Sequence, residues 1–197
     1  MTSAAIMRSM RALFLKPDEK WLEERRRLGH DRRDEVWDGV LHVVPTPTAT
    51  HQRFESALER VLYPLVTPFG LEVFHEIDIL DPKKGRDNYR QPDIAVVSPT
   101  DVSDWIDGHA ELVVEVRSPY DEAYEKIPFY EMCKIREYWI IDPVTRAFEV
   151  RVLRRGKYVI AKPDTKGVVY APRFALRLSI VDGPRLRIAW PDGSAEI

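Results

Sequence analysis

The sequence has a single cysteine, Cys133, so no disulfide can close within the chain, and no cysteine–histidine spacing offers the ligand set of a zinc site. Cys133 reads as a core thiol, and a reducing cytoplasm is the expected compartment. An excess of charge of either sign is also lacking: 30 Lys and Arg face 32 Asp and Glu, for a formal charge of −2. That excludes a protein that coats nucleic acid electrostatically and confines any polyanion contact to local clusters. Such clusters stand at Arg25, Arg26 and Arg27, at Lys83, Lys84, Arg86 and Arg90, and at Arg151, Arg154, Arg155 and Lys157. Each alone reads as a solvated loop or strand edge. No apolar run approaches the roughly 18 to 20 residues of a membrane helix, so no membrane partner is expected. The first residues, broken by Arg8 and Arg11, lack a signal-peptide core. Residues 1–16 are expected to form a frayed leader or a short helix, and 17–197, without internal repeat or low-complexity linker, a single domain. With 44% hydrophobic residues among 197, the chain has enough apolar surface for one good core.

What is present is a succession of segments with readable periods. Trp21, Leu22, Arg25 and Leu28 suit a short helix from Pro17, stopped at Gly29. Residues 35–44 give two β-prone runs around Asp38-Gly39, a pair that favours a tight hairpin turn. Between Thr50 and Val66 apolar residues recur at helical spacing from Phe54 to Leu65, with Thr50 placed to cap the first turn. His51 and Glu55 fall at the border of that apolar stripe. Leu71 to Leu80 reads as one strand, and Asp81 to Arg90 as a polar loop. Ile94–Val97 and Leu112–Val116 are near-continuous apolar runs of the kind covered on both faces, which places them in the middle of a sheet. A helical stretch from about Tyr120 to Lys134 leads to a further buried-type strand over Tyr138–Ile141. Arg155-Gly156 then marks a second hairpin. Residues 168–197 hold β-prone pieces whose order is not readable, and Trp105 lies in a polar loop from Asp101 to His109.

Two acidic residues break the buried runs. Asp93 directly precedes Ile94–Val97, and Glu115 interrupts Leu112–Val116. A buried carboxylate costs several kcal/mol unless a cation or hydrogen bonds compensate it. If the two strands are neighbours, both carboxylates can meet at one end, where hard oxygen ligands suit Mg²⁺ or Mn²⁺. The alternative at this level is structural, since a carboxylate at a strand end can also pair with an arginine or cap a turn.

The segment Gln91-Pro92-Asp93, followed by Glu115-Val116-Arg117-Ser118-Pro119, resembles the bipartite motif of the PD-(D/E)XK nuclease superfamily. More specifically, the order of Trp37-Asp-Gly-Val-Leu41, Pro45 to Gln52, Tyr89 to Val97, Glu111 to Pro119 with Lys126 and Tyr130, and Glu137 to Pro143 is similar to that of the Uma-two family of restriction-endonuclease-like proteins. The likeness runs over about Asp34 to Phe148. It implies an α/β (α+β) fold with a restriction-endonuclease-like core, a central mixed β-sheet of four to six strands flanked by helices. The N-terminal helix and hairpin and the C-terminal strands would be additions to that core.

The same resemblance implies a metal-dependent endonuclease that hydrolyses DNA phosphodiester bonds by metal-activated water. Asp93, Glu115 and the carbonyl of Val116 would hold the Mg²⁺ or Mn²⁺. Glu55 and His51 match positions with a supporting role. Arg117 stands where the superfamily motif usually has lysine; a guanidinium can stabilise charge but is a poor proton acceptor. The family places the lysine in the following helix, which nominates Lys126, with Tyr130 one turn on, although Pro128 predicts a bent first turn there. A homodimer is expected, because cutting both strands of a duplex is most simply done by two symmetric sites. The competing class, for which Arg117 is the argument, is a module that keeps the nuclease fold and binds nucleic acid or protein without turnover.

Overall fold

The computed structural model describes residues 12–14, 17–118 and 122–197. Most of the expected leader and the expected helix start at Tyr120 lie outside these residues. Ala12–Phe14 of the leader forms a strand, β1, paired antiparallel with the second strand of the hairpin that follows. The helix expected from Pro17 is α1 (Glu19–Leu28), capped by the Asp18 carboxylate and ended by Gly29 at φ 67°. The hairpin is β2 (Glu35–Trp37) and β3 (Val40–Val43), and its turn residues Asp38 and Gly39 both have positive φ (49° and 84°), as a type I′ turn requires.

The amphipathic helix is α2 (Ala49–Val66). Its cap is Thr48, not Thr50: the Thr48 hydroxyl accepts from His51 N at 3.3 Å, which starts the helix earlier and leaves Thr50 in the first turn. The single strand expected over Leu71 to Leu80 is divided. Glu76 has φ 49°, a conformation that turns a non-glycine residue out of a strand. The result is β4 (Glu72–His75) and β5 (Ile79–Asp81), which belong to different sheets. The stretch expected to be a polar loop is largely strand β6 (Gly85–Arg90), paired with β2 and β5. Its inward residues are Asn88 and Arg90, so the alternation is hidden behind polar side chains. Arg90 is stacked between the rings of Trp37 (4.0 Å) and Phe129 (4.4 Å) and donates to the carbonyls of Val36 and Tyr89.

The two buried runs are β7 (Ile94–Val97) and β9 (Leu112–Val116), with the short β8 (Ile106–Asp107) between them in sequence. The helix expected to reach Lys134 is short, α3 (Ile127–Met132), with Lys126 at its N-cap and Pro128 in the first turn, where a missing N–H costs nothing. The remaining strands are β10 (Glu137–Ile141), β11 (Phe148–Arg154), β12 (Lys157–Ile160), β13 (Val169–Ala171), β14 (Leu176–Val181), β15 (Arg185–Trp190) and β16 (Gly193–Glu196).

The central sheet has the order β12-β11-β10-β9-β7-β4 and is mixed, with β9 and β10 parallel and the other neighbours antiparallel. Alternate residues of its middle strands go to opposite faces. Ile94, Val96, Leu112, Val114, Trp139 and Ile141 pack with Phe54, Leu58 and Leu62 of α2 and with the sheet β13-β14-β15-β16. Ala95, Val97, Val113, Tyr138 and Ile140 pack with Phe129 and Tyr130 of α3, and with Ile79 and Ile106. Ile79 and Ile106 come from β5 and β8 of the sheet β1-β3-β2-β6-β5-β8. Cys133 is part of this core, and burial pushes its thiol up to about 12. No helix among the described residues is long and apolar enough to cross a membrane.

Candidate active site

Because β7 and β9 are antiparallel with Ile94 opposite Val114, the start of β7 and the end of β9 lie side by side. This register brings Asp93 to Val116, whose backbone N–H donates to Asp93 Oδ2 at 2.6 Å. The first turn of α2 closes on the same point. His51 is buried, with Nε2 3.3 Å from Asp93 Oδ1 and Nδ1 3.7 Å from Glu55 Oε2. One ligand-capable atom from each of His51, Glu55 and Asp93 can be chosen so that all lie within 4.8 Å of one another. Burial works against the charged His51 ring, but the hydrogen bond and charge of Asp93, then Glu55 and the Val116 backbone, carry its pKa above the ordinary 6.5. The chain of partners continues outward: Glu55 bonds His75 Nδ1, and His75 Nε2 is 3.1 Å from Glu59.

Glu115 is buried and accepts two bonds at Oε1, from Lys126 Nζ (2.9 Å) and from the Tyr130 hydroxyl (2.8 Å). Burial pushes its carboxyl up to about 8, with Asp93 and Glu35 adding to the effect and the Lys126 ammonium opposing it. The influence of Asp93 on Glu115 reflects their shared end of the sheet. Lys126 Nζ lies 2.8 Å from Glu35 Oε1 and 3.4 Å from the Gln91 carbonyl as well. Burial would disfavour that ammonium, but Glu115 and Glu35 outweigh it and hold its pKa above 10.5.

Glu115 and Glu35 thus share the Lys126 ammonium on one side of this strand end, while Asp93 stands with His51 and Glu55 on the other. The metal-capable donors among the described residues are the carboxylates of Asp93 and Glu55 and the His51 imidazole, whose buried Nδ1 has no hydrogen-bond partner. This set fits Mg²⁺ or Mn²⁺, and the imidazole favours Mn²⁺.

Of the residues singled out in the sequence, Asp93, Val116, His51 and Glu55 meet on one side of this strand end, and Glu115, Lys126 and Tyr130 on the other. Arg117 belongs to neither group. It is exposed past the end of β9, its N–H donates to the Ile141 carbonyl at 2.7 Å, and its guanidinium lies 5.6 Å from the Tyr124 ring centre. Sequence reading missed Glu35 and Glu59 and gave His75 no role beyond that of a surface or hydrogen-bonded histidine. Glu59 and His75 follow from the helical spacing 51, 55, 59 once β4 is known to lie beside α2. For Glu35 the only signal was an acidic residue opening a short β-prone run.

Residues 20–180 match the Uma2 family, described as "Putative restriction endonuclease". Among solved structures the chain is similar to a "putative nuclease belonging to DUF820" from Anabaena variabilis. The two are 20% identical with a TM-score of 0.59, over 72% of this chain and 83% of that one. At that identity the likeness is one of fold, and the shared fold is restriction-endonuclease-like. No curated protein matches the chain. The matched span runs from α1 through both site strands to β14 and contains every residue of the site just described: the chain belongs to the Uma2 family.

Proposed function

We propose that this protein is a metal-dependent nuclease that hydrolyses DNA phosphodiester bonds, with Asp93, Glu115 and the Val116 carbonyl as the cation's ligands. The observation that carries this reading is the convergence at one strand end of Asp93, oriented by Val116 N at 2.6 Å, with a Glu115 that already holds an ammonium at 2.9 Å. A divalent cation bound there would polarise a phosphate oxygen and lower the pKa of a bound water. Lys126, kept protonated by two carboxylates, supplies fixed positive charge toward a phosphate whose negative charge grows during attack. It is not a proton acceptor in this arrangement. His51 and Glu55 brace Asp93 from the α2 side, and His51 lies near enough to take part in proton transfer at the site. Arg117, exposed at the rim, suits contact with a substrate phosphate.

A second reading, a nuclease-fold module that binds without turnover, is favoured by one feature: Lys126 and Tyr130 both occupy Glu115 Oε1. The two are separated by incubating wild type and Asp93→Ala with supercoiled plasmid and single-stranded DNA in Mg²⁺, Mn²⁺ or EDTA. Metal-dependent nicking by wild type, reduced at least about 100-fold in the variant, supports catalysis. DNA binding with no cleavage by wild type under any of these conditions supports the module. Sedimentation of the active species tests the expected homodimer.

A further inference from the structure

Glu35 is a carboxylate that the reading above leaves without a task. It opens β2, in a different sheet from the strands that carry Asp93 and Glu115, and is only 1% exposed. Its oxygens take three donors: Trp37 Nε1 at 2.6 Å, Gln91 N at 2.9 Å and Lys126 Nζ at 2.8 Å. A buried carboxylate needs such compensation, and a purely structural one could draw it from anywhere. Here two of the three donors belong to the site. Gln91 stands two residues before Asp93, and the Lys126 ammonium is at the same time 2.9 Å from Glu115 Oε1.

The ammonium is thus shared between two carboxylates. A cation that approaches Glu115 competes with Lys126 for the same oxygen. With Glu35 present, the ammonium keeps a full carboxylate and the Gln91 carbonyl when Glu115 turns to the cation. Without the charge of Glu35, Glu115 becomes the only anion paired with a buried ammonium, and giving it up leaves that ammonium unpaired. We infer that Glu35 is a positioning residue of this site, holding Lys126 so that Glu115 is released to a divalent cation, and that it thereby sets the affinity for that cation. The inference rests on the proposed reading of Asp93 and Glu115 as cation ligands, and orienting groups of this kind change metal affinity by about 10- to 100-fold.

The test is Mn²⁺ binding to the whole protein, followed by calorimetry or by the spin-resonance signal of free Mn²⁺, with no substrate present. Glu35→Gln, close in shape, is expected to raise the Mn²⁺ dissociation constant about 10- to 100-fold with an unchanged circular dichroism spectrum, while Glu35→Asp, which restores the charge, recovers most of the affinity. In a Lys126→Met background, where no ammonium competes, Glu35→Gln should have less than about a threefold effect, because the coupling runs through Lys126. Wild-type affinity in Glu35→Gln overturns the inference, and so does an undiminished loss in the Lys126→Met background. Should Lys126→Met fail to fold, equal losses in Glu35→Gln and Glu35→Asp overturn it. A wild-type protein that binds no Mn²⁺ overturns the metal reading itself, which is a different outcome from tight wild-type binding left unchanged by Glu35→Gln.

Discussion

Two basic residues lie close to Glu115 in sequence or in space, and their surroundings assign them different work. Lys126 is buried, with 2.8 and 2.9 Å contacts to Glu35 and Glu115, while Arg117 is exposed and lies over the Tyr124 ring. Sequence nominated both, Arg117 from its motif position and Lys126 from the family resemblance, and of the two it is Lys126 that contacts Glu115. Arg117→Ala is therefore expected to raise KM several-fold while kcat stays within about threefold of wild type, measured on a labelled oligonucleotide. A fall in kcat of the size produced by Asp93→Ala would place Arg117 at the reacting phosphate. The sequence made Lys126 legible only through a family resemblance, because nothing in a lysine before a proline-bearing turn says what its ammonium touches. Glu35 was not legible even so: the partners that tie it to the site, Gln91 and Lys126, are 56 and 91 positions away.

At the scale of elements, α2 delivers His51 and Glu55 to the site, and its first turn is fixed by Thr48. Thr48→Ala should cost about 1 kcal/mol of stability and, since its hydroxyl bonds His51 N, reduce cleavage as well. Thr50→Ala should do neither. Thermal melts and plasmid nicking on the two variants check this, and an equal loss in both would return the cap to Thr50. The other site helix, α3, is tied down by Glu131, which accepts from Lys157 Nζ and Tyr158 N of β12, each at 2.8 Å. Burial opposes the Glu131 carboxylate, but Lys157 and the Tyr158 N–H bring its pKa below the ordinary 4.5. A depressed carboxylate stabilises the fold above the unfolded value and loses that contribution as pH falls through the folded one. The melting temperatures of wild type and Glu131→Gln should therefore differ at pH 7 and converge below pH 4.5. A difference that persists in acid would mean the clip does not depend on the charge.

Over the whole molecule, a cation bound by the folded site and not by the unfolded chain adds stability by mass action, about 2.7 kcal/mol at a hundredfold excess over its dissociation constant. Mn²⁺ should raise the melting temperature of wild type, EDTA should reverse the rise, and Asp93→Ala should show neither effect. An increase that survives in Asp93→Ala would locate the binding elsewhere.

The elements that sequence alone determined are those whose signal is local. The glycine-bearing turns at Asp38-Gly39 and Arg155-Gly156 depend on positive φ, the α2 stripe on a helical period, and the two central strands on unbroken apolar runs. Fold class came from motif order, which sequence also carries. Only the tertiary structure decided the division of Leu71 to Leu80 at Glu76, the strand made of polar residues 85–90, and the ring of partners around Lys126. Each depends on side chains that satisfy one another across the fold: Asn88 reaches Asp81, Arg90 enters between two aromatic rings, and Glu35 crosses from one sheet to the site of another. Polar residues of this kind look like loop in sequence, because their burial is favourable only after the partners arrive.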